Sequence, residues 1–118
     1  MKGILFLDEP TSGLDSFTAA YIINTLVSLS RSNRTIITTI HSPRTDIFNM
    51  FDDVLLLSQG ETVYFGEAEK MVAYFDDLGF HCPKYSNPCD YFSIFLFLSF
   101  FYFYFYFYFY FFSFDFHF

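Results

Sequence analysis

The stretch ILFLDEPTSGLD, from Ile4 to Asp15, governs how the whole chain is interpreted. It opens with apolar residues that do not alternate with polar ones, which predicts a strand buried on both faces, at the centre of a parallel sheet. Pro10 cannot donate a hydrogen bond to a neighbouring strand, so we expect the strand to end before it. The pattern therefore places Asp8 and Glu9 at the carboxyl end of a central strand, where open α/β sheets bind their ligands.

Two adjacent carboxylates at that position suit a site that hydrolyses nucleotides. Asp8 would hold a Mg²⁺ ion that bridges nucleotide phosphates, and Glu9 would orient or deprotonate the attacking water. The pair alone is not specific, because a turn with two solvated acids has the same sequence. The residues around it decide between the two interpretations.

The next elements extend the predicted sheet. Phe17 to Ser30 is expected to be a helix, capped by Asp15 or Ser16, with apolar residues at helical spacing. Its predicted buried face consists of Ala19, Ile22, Ile23, Leu26 and Leu29. The β-branched run from Thr35 to Ile40 predicts a second buried parallel strand. His41 follows that strand directly, so we expect it at the same sheet edge as the two carboxylates.

The second half of the folded region has simpler signals. Val54–Leu57 and Thr62–Phe65 flank the turn Ser58-Gln59-Gly60-Glu61, which predicts a hairpin. Glu67 to Leu78 has one apolar face and predicts a helix, and Gly79 suits the position just after its end.

Composition excludes some classes of function. The 118 residues carry a net charge of −7, which argues against nucleic acid as a partner. The two cysteines, Cys82 and Cys89, are too few for a disulfide framework and form no C-x-x-C pair. We interpret both as reduced thiols, with a zinc site that includes His81 as the alternative.

Several strings resemble one protein family. DEPTSGLD resembles the segment from Walker B to the D-loop of ABC-type ATPases. Two further segments resemble the G subfamily of ABC transporters: Pro43-Arg44 with Asp46-Ile47-Phe48, and Tyr85 to Phe92. Within that subfamily, their sequence is similar to that of the sterol half-transporters (sterolin type). Ser42 departs from the pattern, because that subfamily usually has Gln beside the histidine.

The resemblance implies a fold and a set of roles. It implies an α/β fold, a partial P-loop NTPase (ABC ATPase) with a parallel sheet and flanking helices, over residues 1–92. The catalytic residues would be Glu9 and His41, and Asp8 would bind Mg²⁺ through water. The D-loop would consist of Ser12, Gly13, Leu14 and Asp15. ATP and Mg²⁺ would be the cofactors of an intact parent.

The resemblance also implies a setting in the cell. The chain would be a fragment of the ATP-binding and ATP-hydrolysing subunit of a lipid or sterol exporter, associated with the cytoplasmic face of a membrane. Its partners would be a second half-transporter subunit and the membrane domain of the parent. No Walker A loop and no LSGGQ-like signature occurs in the sequence, so we expect upstream sequence to be missing and the chain alone to be inactive.

The resemblance stops at Ser93, which begins a second predicted region, 93–118. Ile94 to Phe112 is almost wholly aromatic and aliphatic, and it meets the length criterion of about 20 apolar residues for a membrane span. Its Phe-Tyr repeat and lack of flanking Lys or Arg favour translated low-complexity sequence instead. The alternative function is a non-catalytic interaction fragment or a mispredicted gene product with a membrane-like tail.

Overall fold

The secondary structure consists of strands and short helices that alternate in the first part of the chain. The computed structural model describes residues 3–58, 60–99 and 109–113, and the side chains of 3–58 and 60–94. Its elements are β1 (Gly3–Asp8), α1 (Ser16–Ser30), β2 (Arg34–Ile40), α2 (Thr45–Phe48), β3 (Asp53–Ser58), β4 (Glu61–Glu67), a 3₁₀ turn (Ala68–Lys70), α3 (Met71–Asp77), α4 (Pro88–Ser99) and β5 (Phe109–Ser113).

The β1–α1–β2 unit agrees with the sequence prediction. β1 and β2 are adjacent and parallel, in a register that runs from Gly3 opposite Arg34 to Asp8 opposite Thr39. The strand ends at Asp8, before Pro10, because a proline there would leave a ladder position without a donor. α1 connects the two strands, and its apolar face includes buried Ala19 and Ile23.

The position of β1 in the sheet differs from the prediction. The strand order is β1-β2-β5-β3-β4, so β1 lies at an edge instead of the centre. The side chains of Ile4 and Phe6 are 63% and 70% exposed, whereas Leu5 and Leu7 are half-buried. An apolar run predicts a strand but not which neighbours it acquires. Within the described residues β1 pairs with β2 alone, and one of its faces is left uncovered.

The sheet is mixed, whereas the sequence predicted a parallel one. β3 and β4 form the expected antiparallel hairpin around Gly60, which has a φ of +79° that glycine adopts without strain. β5 pairs antiparallel with both β2 and β3 and joins the two halves. The prediction of an α/β fold is therefore confirmed. The finer prediction is not, because the elements that the structure describes do not show a P-loop NTPase fold.

The helix predicted from Glu67 to Leu78 is shorter in the structure and begins later. β4 continues to Glu67, the 3₁₀ turn follows, and α3 covers only Met71–Asp77. Gly79 follows α3 with a φ of +92°, as predicted for a residue just after a helix end. The core lies mainly under the hairpin and the later helices, and it is formed by Ala19, Ile23, Ile40, Ile47, Phe48, Phe51, Val54, Leu56, Tyr64, Ala68, Met71, Phe75, Cys89 and Phe92.

α4 crosses the predicted boundary between residues 92 and 93. One face of its first turns is buried, with Cys89 and Phe92 at 0% exposure, and Ile94 is already 59% exposed. In the parts of the chain with a described backbone, no helix combines the length and the apolar character that a membrane crossing requires. Most of the Phe-Tyr repeat lies outside the described residues, so the division into 1–92 and 93–118 stays a prediction.

Candidate functional site

A cleft of about 280 Å³ lies where β1 and β2 end. Its lining residues are Glu9, Thr11, Ser12, Gly13 and His41. The expected meeting of Glu9 and His41 at one sheet edge is therefore observed. It follows from the parallel pairing of the two strands, since each residue comes directly after its strand.

Thr39 on β2 organises the ends of both strands. Its hydroxyl donates a hydrogen bond of 2.5 Å to Oδ1 of Asp8, the residue opposite it in the ladder. The backbone N–H of Glu9 donates to the Thr39 carbonyl (3.1 Å) and also reaches the Thr39 Oγ1 (2.9 Å). These bonds hold Glu9 at a φ of +44°, an uncommon conformation for a non-glycine residue. Thr39 was not among the residues predicted for the site, although its hydroxyl lies two residues before His41 in a strand that was predicted to be buried.

The segment predicted to be a D-loop forms two overlapping turns. The N–H of Ser12 donates to the Glu9 carbonyl, and the N–H of Leu14 donates to the Thr11 carbonyl. Gly13 has a φ of +74°, which explains why a glycine stands there. Of the predicted D-loop residues, Ser12 and Gly13 line the cleft, whereas Leu14 and Asp15 do not.

Asp15 acts as the N-cap of α1. Its Oδ2 accepts hydrogen bonds from the N–H groups of Phe17 and Thr18, and its Oδ1 accepts one from the Thr18 hydroxyl at 2.6 Å. The bond from the Thr18 hydroxyl, followed by the bond from the Thr18 N–H, lowers the pKa of Asp15 below its usual value. The prediction that Asp15 or Ser16 caps the helix is confirmed for Asp15. A D-loop role for Asp15 stays a prediction.

The zinc alternative finds no support in the described part of the chain. No three His, Cys, Asp or Glu side chains there are grouped so that they could hold a metal ion. His81 contacts Asp76 through its Nδ1. Cys89 is a free, buried thiol whose pKa is raised by burial. A deprotonated thiolate is what zinc requires, so this cysteine is a poor ligand.

A second, acidic cleft of about 360 Å³ lies between α2 and the end of β4. Asp52, Asp53, Glu67 and Glu69 line it together with Phe48, Asn49, Phe51 and Ala68. Burial raises the pKa of Asp53, and the nearby charges of Asp52 and Glu67 raise it further. Arg31 forms a two-pronged ion pair with Asp52 at 2.9 and 2.5 Å, which neutralises part of this charge.

Asn87 is a second polar residue, after Thr39, whose contacts were not predicted from the sequence. Its Nδ2 donates to the Pro43 carbonyl (3.0 Å) and to Asp90 Oδ2 (3.1 Å), and its Oδ1 accepts from the Cys89 N–H (3.0 Å). The bond to Pro43 joins residues 44 positions apart. It links the turn after His41 to the start of α4. The segment from Tyr85 to Phe92 was singled out in the sequence, but its contact with Pro43 was not predicted.

Comparison of the amino-acid sequence with known proteins identifies relatives of this chain. Residues 41–98 match the family described as ABC-2 type transporter. The chain is 53% identical over 90 residues to ATP-binding cassette sub-family G member 8 of Rattus norvegicus, which covers 76% of this chain and 13% of the relative. It is 51% identical over 89 residues to ABC transporter G family member 1 of Dictyostelium discoideum (75% and 11%). A broad substrate specificity ATP-binding cassette transporter of Mus musculus is 51% identical over 89 residues (75% and 14%). The chain thus spans about one eighth of the length of such relatives.

The family match corrects the predicted function. Residues 41–98 match a family of ABC-2 type transporters and not one of ATP-binding subunits, so the prediction of a fragment of the ATP-binding and ATP-hydrolysing subunit is wrong. That prediction depended chiefly on the string from Asp8 to Asp15, which lies outside the matched residues, and also on His41, which is the first of them. A short string reports the chemistry of its own turn and does not define the part of a large protein that contains it. The roles predicted for Asp8, Glu9 and His41, and for ATP and Mg²⁺, are not tested by these matches and stay predictions.

Proposed function

Because the chain belongs to the G family of ABC transporters, we propose that it is part of a membrane transporter in which α4 connects the mixed sheet to the membrane. The observation that carries the proposal is the environment of α4. Its beginning is buried in the core at Cys89 and Phe92, and Ile94 is exposed where the apolar run of the sequence begins. The family match ends at residue 98, within the same helix.

The charge distribution supports this orientation. The 13 acidic and 6 basic residues of the chain nearly all precede Ile94, and the run from Ile94 to Phe112 contains none. Transfer of charged side chains into a bilayer is costly, whereas aromatic and aliphatic side chains enter it or its interface favourably. We therefore propose that the sheet lies in water on the cytoplasmic face and that the chain meets the membrane beyond Ile94.

The partner and the cargo are further parts of the proposal. The transporter would pair this chain with a second half-transporter, as the resemblance to half-transporters implies. We propose lipids, and sterols among them, as the cargo class, because the amino-acid sequence from Tyr85 to Phe92 is similar to that of sterol half-transporters. The mouse relative named for broad substrate specificity shares a similar level of identity. The cargo therefore has to be established by transport measurements on the whole transporter.

Membrane attachment through α4 is tested by fractionation of cells that express the tagged full-length chain. The chain should resist extraction with alkaline carbonate, and Ile94→Arg should release a large part of it into the soluble fraction. Phe17→Arg is the matched control, since Phe17 is 81% exposed on α1, away from the proposed contact. Complete extraction of the unmodified chain, or equal release by both variants, would contradict the proposal.

Topology and pairing are tested separately. External protease should leave the sheet region intact in sealed cells and cleave it after permeabilisation, because the sheet is proposed to face the cytoplasm. Co-expression with full-length rat sub-family G member 8 should give a co-purifying pair, with a transporter of an unrelated family as the control. Cleavage in sealed cells would exclude the proposed side, and equal recovery with the control would exclude specific pairing.

A further inference from the structure

The side-chain amide of Asn87 connects two parts of the fold that are far apart in sequence. Its Nδ2 donates to the carbonyl of Pro43, and its Oδ1 accepts from the N–H of Cys89 in the first turn of α4. Pro43 is buried and lies two residues after His41. The Asn87 Nδ2 also donates to Asp90 Oδ2 in α4 at 3.1 Å. The amide therefore has one hydrogen bond on the His41 side and two on the α4 side.

The α4 side of this connection is firmly held. The ring of Phe92 stacks on Phe75 of α3, with centroids 4.1 Å apart and planes inclined by 25°. Cys89 and Phe92 are both completely buried. Because well-packed groups move together, a displacement of the start of α4 has to move Asn87 as well.

The His41 side consists of a constrained turn followed by a short helix. Ser42 has a φ of +42°, a conformation that a residue before proline seldom adopts and that persists where surrounding contacts maintain it. α2 starts just after Pro43, and the N–H of Phe48 donates to the Arg44 carbonyl at 2.8 Å. The hydrogen bond from Asn87 reaches the carbonyl between these two features.

We propose that Asn87 is a positioning residue that transmits displacements of α4 to the turn carrying His41 and to α2. The proposal rests on the proposed function in one respect, which is that α4 is the element joined to the membrane. In an intact transporter, a movement of the membrane part would reach the sheet edge through the Pro43 carbonyl. The connection depends on the amide donor, since a carboxylate at the same position keeps the acceptor for Cys89 but loses the donor for both Pro43 and Asp90.

The first test is amide hydrogen exchange on the purified full-length chain in detergent micelles. Asn87→Asp should accelerate exchange of the Phe48 amide roughly fivefold, because the bond to the Pro43 carbonyl is lost and one hydrogen bond of ordinary strength has an effect of this size. The bond to Asp90, which is lost with it, lies within the start of α4. The Ala19 amide, which donates to the Asp15 carbonyl within α1, should keep its rate. Asn24→Asp is the matched control, because Asn24 Nδ2 donates to the Ala20 carbonyl at 3.0 Å and should leave Phe48 unchanged when lost.

The second test asks whether the displacement passes through Asn87. Phe92→Leu loosens the contact with Phe75 without removing the apolar side chain, and it should accelerate exchange at Phe48 when Asn87 is present. In an Asn87→Asp background the same substitution should change exchange at Phe48 by less than about twofold. The ring signals of His41 should shift with Phe92→Leu in the first background only, while those of His81, which contacts Asp76, should not.

Each outcome decides the proposal. An equal acceleration at Ala19 and Phe48 in Asn87→Asp would show general destabilisation and overturn it, as would unchanged rates. A Phe92→Leu effect that persists in full without the Asn87 donor would show that displacement passes through the core instead. These measurements require no membrane attachment, so they remain interpretable if the carbonate experiment contradicts the proposed function.

Discussion

Replacement of Phe92 by alanine should cost the fold a large part of its stability. The Phe92 side chain is completely buried, its ring stacks on Phe75 at 4.1 Å, and it meets the Tyr91 ring edge-on at 5.3 Å. Truncation of a buried phenylalanine costs about 3–5 kcal/mol through lost burial and the cavity left behind. Domains of this size have a free energy of unfolding of about 5–15 kcal/mol, so Phe92→Ala should leave a marginal fold.

The measurement is urea unfolding of the full-length chain, followed by circular dichroism. With a slope of about 2 kcal/mol per molar urea, the midpoint should fall by about 1.5–2.5 M. Two controls share the chemistry without the burial. Ile94→Ala truncates a side chain of the same helix that is 59% exposed, and Phe17→Ala removes a ring that is 81% exposed. Each should cost less than about 1 kcal/mol.

Either of two results would contradict the described packing of α4. A loss below about 1 kcal/mol for Phe92→Ala would mean that α4 does not pack on α3 as described. A loss for Ile94→Ala as large as that for Phe92→Ala would mean that the boundary between the buried and exposed parts of α4 is misplaced. The first result would also remove the basis for transmission through Asn87.

Three further predictions concern charged side chains. Asp53→Asn should raise the melting temperature at pH 7. The pKa of Asp53 is raised in the folded protein, so the protonated carboxyl stabilises the fold at low pH and this stabilisation is lost as the pH rises above about 4. An increase in melting temperature that is equally large at pH 3 would contradict this. The pKa of Asp15 is lowered in the folded protein, so stability should depend on pH in the opposite direction. The bonds from Thr18 to the ionised Asp15 carboxylate should stabilise α1 above about pH 4 and weaken as the pH falls. A carboxyl titration of Asp15 by NMR with a midpoint at or above the usual Asp value would disprove this. Arg31→Lys should lower the free energy of unfolding by less than about 1 kcal/mol, since Lys cannot form the two-pronged pair with Asp52. The difference in urea midpoint between the two proteins should shrink in 1 M salt, and a difference that does not depend on salt would contradict the ion-pair explanation.

Relatives at about half identity show the family that the sequence strings predicted. The function attached to that prediction was wrong, because it was taken chiefly from residues 8–15, whereas the family match covers residues 41–98. The site geometry was anticipated only in part. Glu9 and His41 share a cleft as expected, but the hydroxyl of Thr39, which organises the strand ends, was not identified. Its two contacts are made across the ladder, to residues about 30 positions away.

Local features were within reach of the sequence alone. The apolar run and Pro10 defined where β1 ends, the helical spacing defined α1, and Gly60 and Gly79 marked two turns. Each depends on backbone preferences and hydrogen bonds between near neighbours, which the chain carries wherever it folds.

The neighbours of each element were decided by the tertiary structure. The same apolar run fits a central strand or an edge strand, and only pairing with β2 placed β1 at the edge. β4 and the 3₁₀ turn displaced the start of the predicted helix, because strand pairing with β3 competed with helical periodicity up to Glu67. The bond from Asn87 to Pro43 depends on the docking of α4 by Phe92. Contacts between distant segments reflect how the whole chain buries its apolar surface, which no single stretch of sequence determines.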